Sequence, residues 1–490
     1  MSQLRVLCET WDFTHPTSLE MRMRLLAGAV LLIVLPMTGG EIAAPPSHSE
    51  TSINLYDSNP SHLWNRLYAA LLIREDRHGN QWGADSLDPL LWTESEHLLA
   101  KPSHERALRV LDEFLQTHAE NLIHDPLKRT LMQRDLWAVF DWSVQQESRS
   151  ERPPYTAEKQ ELQTRLAEVL RRVALSSKEI EALPDNYAQA VASGKFAKEY
   201  DPAHPDQAFL PPDLFDRHGP WVNIDSSPGP FNYAGVAETH VQAFSGRSRF
   251  LVFMRLPEGR KATLAYLQTL WNFPQPWVQS QEPNGDRVVV NPDLPSFPAG
   301  TEVALVRQMT LFDNQGNLAP APLTESVQIR VYHAITTTPA RFSGPDWADV
   351  IKNSGQDFYE IKLSRALLFT GKDGGLRATR RDEKEFFTFQ QQGDDEIEEF
   401  DEHPEFKKTW PPVLQQCLSC HSGGGVRSLN SLEKILKPNR RQQDPPDNGA
   451  YPARSWLYDG TEEWKQQRYD WGLLNGYWNA SARQAQRPVR

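Results

Sequence analysis

The chain has 490 residues and a formal net charge of −12, from 52 basic and 64 acidic side chains. This length allows more than one domain. The acidic balance argues against binding to nucleic acid or to anionic lipid, because both need a basic surface. With only 3 cysteines, a framework of disulfides is excluded as the source of stability.

The first 44 residues have the pattern of an export signal. Arg22 and Arg24 precede an apolar run at 25–35, and small residues follow as far as Ala44. This is the order of a charged region, an apolar region and a cleavage zone, and the run is shorter than the roughly 20 residues that span a bilayer. We therefore expect residues 1–44 to be a signal peptide and the mature chain to be periplasmic or secreted, without a membrane span. An uncleaved anchor is the alternative.

Residues 45–205 show the apolar periodicity of packed helices. The clearest example is a single apolar stripe on an otherwise charged segment, made by Leu162, Leu166, Val169, Leu170 and Val173. This spacing places all five side chains on one face of a helix. The same pattern predicts helices around 63–71, 108–115 and 132–140.

Residues 206–392 show the alternation of β-strands, after a proline-rich stretch at 201–230. In the segment 301–312 the alternation predicts one buried face that carries Val303, Leu305, Met309 and Leu311. A second strand is predicted with Val327, Ile329, Val331 and His333 on its buried face. Further predictions are strands at 249–256 and 358–363, a hairpin at 367–379 and a helix near 262–271.

The segment 393–490 contains the motif that indicates a chemistry, Cys417-Leu418-Ser419-Cys420-His421. Two thiols three positions apart, followed at once by an imidazole, form the attachment signature of c-type haem. At this spacing both thiols reach the vinyl groups of one porphyrin edge, and the histidine is placed to bind the iron. A thioredoxin-like redox pair, a zinc site and chance are the alternatives, but neither a βαβ pattern nor a second Cys or His pair lies nearby.

This motif resembles the haem-attachment site of c-type cytochromes. The resemblance implies one covalent haem c, with thioether bonds to Cys417 and Cys420 and with His421 as the proximal iron ligand. Glycines at 423–425 would let the backbone approach the ring, and Arg427 is a candidate partner for a haem propionate. The resemblance covers only the C-terminal segment.

The sixth iron ligand is not evident, because neither Met nor His follows His421. We consider His403, His333 and Met309 as candidates, or no ligand at all. A six-coordinate iron favours electron transfer, whereas an open sixth position favours binding or activation of a small ligand.

The C-terminal tail is rich in tryptophan. Trp464, Trp471 and Trp478 recur every seven residues, which is close to two helical turns. They would form one face of a helix that either lies over the porphyrin or packs against the β-rich region.

Together these patterns predict a multidomain α+β protein. Its parts would be a leader (1–44), an N-terminal helical domain (45–205), a β-rich middle domain (206–392) and a mostly helical, cytochrome c-like haem segment (393–490). The predicted function is one-electron transfer between periplasmic redox partner proteins. The alternatives are a five-coordinate haem enzyme, acting as an oxidoreductase, or a small-ligand sensor, and a binding module with an accessory haem. Whether the chain is an enzyme stays open.

Overall fold

The structure is a computed structural model that describes residues 54–75, 81–83, 97–99, 101–145, 155–224, 237–279, 288–335, 354–383, 414, 421, 424–429 and 460–485. Both helices and strands are present, so the α+β class is confirmed. The strands are β1 (Arg74–Glu75), β2 (Gln81–Trp82), β3 (Val222–Asn223), β4 (Ser248–Arg255), β5 (Trp277–Gln279), β6 (Val288–Val290), β7 (Thr301–Phe312), β8 (Leu318–Tyr332), β9 (Gln356–Leu363) and β10 (Leu376–Ala378). Six of them form one antiparallel sheet in the order β10-β9-β8-β7-β4-β3.

The helices lie mostly before the sheet in the chain and again at its end. They are α1 (Leu63–Leu72), α2 (Lys101–Gln116), α3 (Pro126–Gln145), α4 (Thr156–Val173), α5 (Ser177–Glu181), α6 (Asn186–Ser193), α7 (Glu238–Ala243), α8 (Arg260–Asn272), α9 (Arg365–Phe369), α10 (Thr461–Gln466) and α11 (Tyr469–Ala485). The four helices predicted before residue 200 and the helix predicted near 262–271 are all present.

The helix α4 confirms the clearest sequence prediction. All five side chains of its apolar stripe are fully buried, and each of them contributes about 1.5–3 kcal/mol by leaving water. The opposite face is charged, and Arg165 on that side pairs with Asp112 of α2. One apolar face and one solvated face are sufficient to fix the orientation of this helix.

The helix α3 is buried on nearly all sides, which its apolar periodicity did not predict. It begins at Pro126, a residue that suits the first helical position, and the carboxylate of Asp125 accepts a hydrogen bond from the Leu127 amide at 2.9 Å. Arg134 and Asp135 are fully buried, because each has a charged partner elsewhere in the chain. Burial of charged groups that are paired across the fold is invisible to a hydrophobic pattern.

One face of the sheet packs against helices α5 and α6 and the irregular segment that follows them. Alternate residues of the central strands, such as Ala304, Val306, Val327 and Ile329, form a buried cluster with Tyr187 of α6. Because helical and strand residues share this cluster, the sheet depends on the helical region for its core. The predicted domain boundaries remain a prediction.

Among the described residues, two separate clusters pack on the second face of the sheet. At one end α8 packs on it through Leu267 and Leu270, in a cluster with Val303. At the other end Val241 of α7 and Trp464 of α10 pack with Phe250. The gap between these two clusters is where the candidate site lies.

The C-terminal tryptophans pack in the core. Trp471 contacts Trp137 of α3, with ring centroids 5.8 Å apart, and the indole nitrogen of Trp478 donates to the Ala167 carbonyl at 2.8 Å. Trp464 belongs to the cluster beside α7. The second of the two sequence interpretations, ordinary packing, therefore describes these side chains, which contact helices as well as strand β7 through Phe312.

The predicted buried face of β7 is wrong beyond Arg307. The ladder between β7 and β8 shifts register between Arg307 and Gln308, and again before Thr310. Met309 packs in the same cluster as Val306, not with Val303. A bulge changes the local twist of a strand and redirects its side chains, so simple alternation fails past this point.

The hairpin predicted at 367–379 is also wrong. The residues after β9 form the short helix α9 and a 3₁₀ turn at Asp373–Gly375, and β10 pairs with β9 from Leu376 opposite Leu363. Gly374 has a φ of +60°, and a β-carbon there would lie 2.1 Å from a backbone oxygen of α6. The glycines are therefore needed for close packing of the turn against a helix rather than for a two-residue hairpin turn.

No helix in the described part of the chain is long and apolar enough to cross a membrane.

Candidate functional site

A cavity lies on the second face of the sheet, between the two clusters that cover its ends. Its empty volume is about 560 Å³, part of which is open to solvent. Four adjacent strands form its floor, through Val252, Leu305, Gln328, Arg330 and Phe358. The site is therefore built on the four inner strands of the sheet.

His421, the histidine of the attachment motif, lines this cavity. Its Nδ1 lies 2.9 Å from the carbonyl oxygen of Ser428. Because a carbonyl only accepts hydrogen bonds, Nδ1 carries the proton and Nε2 keeps its free electron pair. This is the arrangement that orients a metal-binding imidazole.

The segment 424–429 attaches His421 to the sheet. The hydroxyl groups of Ser428 and Tyr332 lie 2.7 Å apart, and the Val426 amide donates to the hydroxyl of Ser296 at 3.1 Å. The Gln356 side chain donates to the backbone carbonyl of His421 at 2.6 Å. Contacts with three separate parts of the chain therefore hold the ring in position.

Arg330 is the one charged side chain on the cavity floor among the described residues. It is 8% exposed, and its guanidinium donates to the Ser428 carbonyl at 2.9 Å. It also lies over the ring of Tyr332, 5.6 Å from the centroid. No carboxylate in the described ranges pairs with it, and a buried cation without a counter-charge is costly. The cavity therefore favours a ligand that carries a negative group.

His240, on α7, is the second histidine of the cavity. Its ring lies 5.4 Å from the ring of Phe250 and 6.5 Å from the ring of His421, measured between centroids. The two imidazole planes are nearly parallel, with an angle of 7° between them. No side chain or backbone group of the described residues hydrogen-bonds the His240 ring. Two imidazoles thus face one cavity.

Burial and the neighbouring arginines keep both imidazoles neutral. Burial, together with the cations of Arg330 and Arg307, lowers the pKa of His240 from its ordinary 6.5 to about 4. Burial and the Arg330 cation also hold the pKa of His421 well below its ordinary value, although the hydrogen bond to Ser428 opposes them. A neutral imidazole is the form that binds metal.

These features fit a haem. The porphyrin itself supplies four iron ligands, so a haem protein needs side chains only at the axial positions. No cluster of three or more metal-binding side chains occurs among the described residues. The apolar floor suits a porphyrin, and Arg330 supplies the positive charge that a propionate would meet. His421 would hold the iron.

The structure describes some of the other predicted site residues and leaves three of them outside the described ranges. Cys417, Cys420 and His403 lie outside the described residues. Arg427 is exposed and does not line the cavity. A β-carbon on Gly425 (φ +85°) would lie 2.4 Å from the hydroxyl oxygen of Ser296, so this glycine permits a contact with the protein.

Two candidates for the sixth ligand are not at the cavity. Met309 is fully buried in the cluster between the sheet and the helices. His333 is exposed and follows the last residue of β8, Tyr332. The strand ends one residue earlier than the alternation predicted, so His333 is not part of its buried face.

Sequence reasoning missed both Arg330 and His240. Arg330 interrupts an apolar strand at the polar parity, where a charged residue is usually taken as solvent-facing. His240 lies on a six-residue helix with no apolar period of its own. Only the tertiary fold brings these two residues to His421.

Comparison with known proteins gives no assignment. No protein-family model, no curated protein and no solved structure matches the chain. We therefore infer function from the chain's own residues.

Proposed function

We propose that this protein is an exported c-type cytochrome with one covalently bound haem, and that it transfers single electrons between periplasmic redox partners. Cys417 and Cys420 would carry the thioether bonds, and His421 would bind the iron. The observation that carries the proposal is that the histidine of a haem-attachment motif lines a cavity on the sheet, with its Nε2 free for a metal.

The surrounding residues support this role. The carbonyl of Ser428 fixes the orientation of the imidazole, which limits how far an iron ligand could move between oxidation states. The apolar side chains of the cavity floor, among them Leu305 and Phe358, would exclude water from the ring. A dry environment and a fixed ligand are the means by which a protein sets the potential of a haem.

When bound, the haem supplies a one-electron iron couple, and the protein contributes the ligand, the electrostatics and the burial. Arg330 would place a positive charge beside a propionate. The export pattern at 1–44 supports a periplasmic location, because covalent haem attachment is normally made outside the cytoplasm.

The direct test is the mass and spectrum of the matured protein. We would express the full chain in a host that attaches c-type haem, recover the exported fraction and measure intact mass and the reduced spectrum. The expected result is the mass of the mature chain plus one haem, with a c-type spectrum that survives denaturation.

The matched variants separate the motif from incidental haem binding. Cys417→Ala with Cys420→Ala should abolish covalent haem, whereas Ser419→Ala, which changes a residue between the two cysteines, should leave it intact. Absence of added mass in the wild type, or covalent haem retained in the double variant, would reject the proposed function.

A further inference from the structure

The attachment motif supplies one histidine to the cavity, His421, and helix α7 supplies another, His240. Among the described residues that line the cavity, only His240 and His421 have side chains that bind iron readily. They belong to distant parts of the sequence. His240 precedes β4, whereas His421 follows the last strand of the sheet.

We propose that His240 is the second axial ligand of the haem iron, opposite His421. The inference rests on the proposed function, since it presumes that the cavity holds the haem. It gives the site a defined coordination, two neutral imidazoles, and it replaces the three candidates that the sequence suggested.

The distance between the two rings supports this assignment. A metal ion held between two imidazoles, with each metal–nitrogen bond about 2 Å long, places the ring centroids about 6 Å apart. The observed separation between the centroids of His240 and His421 is 6.5 Å. The near-parallel planes are compatible with two ligands on one axis.

The surroundings of His240 hold it in place without using its ring nitrogens. Its helix, α7, is anchored by Val241, which packs with Phe250 and Trp464. At the end of the helix the ring of Phe244 lies 4.4 Å below the guanidinium carbon of Arg307. The imidazole therefore has a fixed position and, among described groups, no hydrogen-bond partner. Its ring nitrogens are therefore available to a ligand in the cavity that it lines.

Two imidazole ligands have a consequence for chemistry. A haem iron that is six-coordinate in both oxidation states changes little in geometry when it gains or loses an electron, and no open position remains for peroxide or a gas. Bis-histidine ligation also gives a lower potential than the histidine–methionine ligation of many small cytochromes, because a thioether ligand raises it. The site thus favours an electron carrier over a sensor of small ligands.

The test compares iron spin state in holoprotein variants. The wild type should show a low-spin ferric spectrum, and its reduced form should bind carbon monoxide weakly. His240→Ala should lose the low-spin signal and bind carbon monoxide at least tenfold more tightly, and added imidazole should restore the low-spin spectrum. His240→Met, which keeps a metal-binding side chain, should stay low-spin with an altered spectrum and should guard against simple misfolding.

The controls are His333→Ala and Met309→Leu, which change the ligands suggested by the sequence and should leave the spectrum unchanged. A high-spin wild type, or a His240→Ala protein that carries covalent haem and remains low-spin, would overturn the assignment. Either result leaves the covalent haem of the proposed function intact, and a high-spin wild type would favour the five-coordinate alternative over electron transfer. A wild type without covalent haem would instead reject the proposed function.

Discussion

His421 and Arg330 donate hydrogen bonds to the same acceptor, the carbonyl oxygen of Ser428, each at 2.9 Å. This shared contact fixes a buried cation beside the candidate iron ligand. Because both donors depend on one carbonyl, the orientation of the imidazole and the position of the positive charge are set together.

Arg330 should raise the reduction potential of the haem. A positive charge near the iron disfavours the ferric state more than the ferrous state, so Arg330→Gln should lower the midpoint potential. The expected shift is on the order of tens of millivolts, because an electrostatic change of about 1.4 kcal/mol corresponds to 59 mV for one electron. Redox titration of the holoprotein measures it.

Arg427→Gln is the matched control for this change. It removes the same charge from an exposed position two residues after Gly425, where solvent screens its field. The potential of this variant should stay within a few millivolts of the wild type. An equal shift in both variants would contradict a specific role for Arg330.

The buried ion pair between Asp135 and Arg365 should be essential for stability. Both side chains are fully buried, and the guanidinium makes two hydrogen bonds to the carboxylate, at 2.5 and 3.2 Å. Arg365→Ala removes this bidentate counter-charge from a buried carboxylate and should cost about 3–5 kcal/mol in the free energy of unfolding. Urea titration followed by tryptophan fluorescence measures the loss.

Two comparisons define the origin of that loss. Arg380→Ala breaks the exposed pair between Arg380 and Asp382 and should cost at most about 1 kcal/mol. Replacing both buried partners, with Asp135→Leu and Arg365→Met, should recover much of the stability because no charge is left unpaired. If the double variant were as unstable as Arg365→Ala, shape rather than charge would dominate at this site.

Glu383 should make the fold sensitive to acid. Burial by itself would raise the pKa of this carboxyl, but hydrogen bonds from Arg377 and Lys362 outweigh it and lower the pKa to about 2. A pKa that is lower in the folded than in the unfolded chain stabilises the fold fully above the unfolded value, ordinarily 4.5. This stabilisation disappears as the pH falls from there towards 2.

Glu383→Gln should therefore lower the free energy of unfolding by roughly 2–3 kcal/mol at pH 6 and by much less at pH 2, since each unit of pKa shift corresponds to about 1.4 kcal/mol. Urea titrations at a series of pH values give the comparison. Asp382→Asn changes the exposed neighbouring carboxylate, and its difference in unfolding free energy from the wild type should not depend on pH in this way. A Glu383→Gln curve that runs parallel to the wild type down to pH 2 would rule out this linkage.

Much of the fold was accessible from the sequence because its elements follow simple periods. The stripe from Leu162 to Val173 predicted α4, and β7 begins and ends where its alternation does, at Thr301 and Phe312. The predictions failed where tertiary structure interrupts the alternation of a strand. A register shift turned Met309 to the opposite face of the sheet. The strand β8 ends at Tyr332, so His333, predicted on its buried face, lies beyond it.

The candidate site was accessible only in part, for a physical reason. The attachment motif is local, so its five residues reveal it without the rest of the chain. His240 and Arg330 become part of the site through sheet pairing and helix packing, and no spacing in the sequence encodes that approach.

The distance in sequence between His240 and His421 bears on whether haem attachment or folding comes first. A covalent bond at Cys417 and Cys420 requires only a short extended peptide, whereas the approach of His240 requires the sheet that lies between them in the sequence. Cofactor attachment can thus precede folding, and closure of the long loop between the histidines is slow because distant contacts form late. A tethered porphyrin would then act as a template around which the last steps of chain collapse take place.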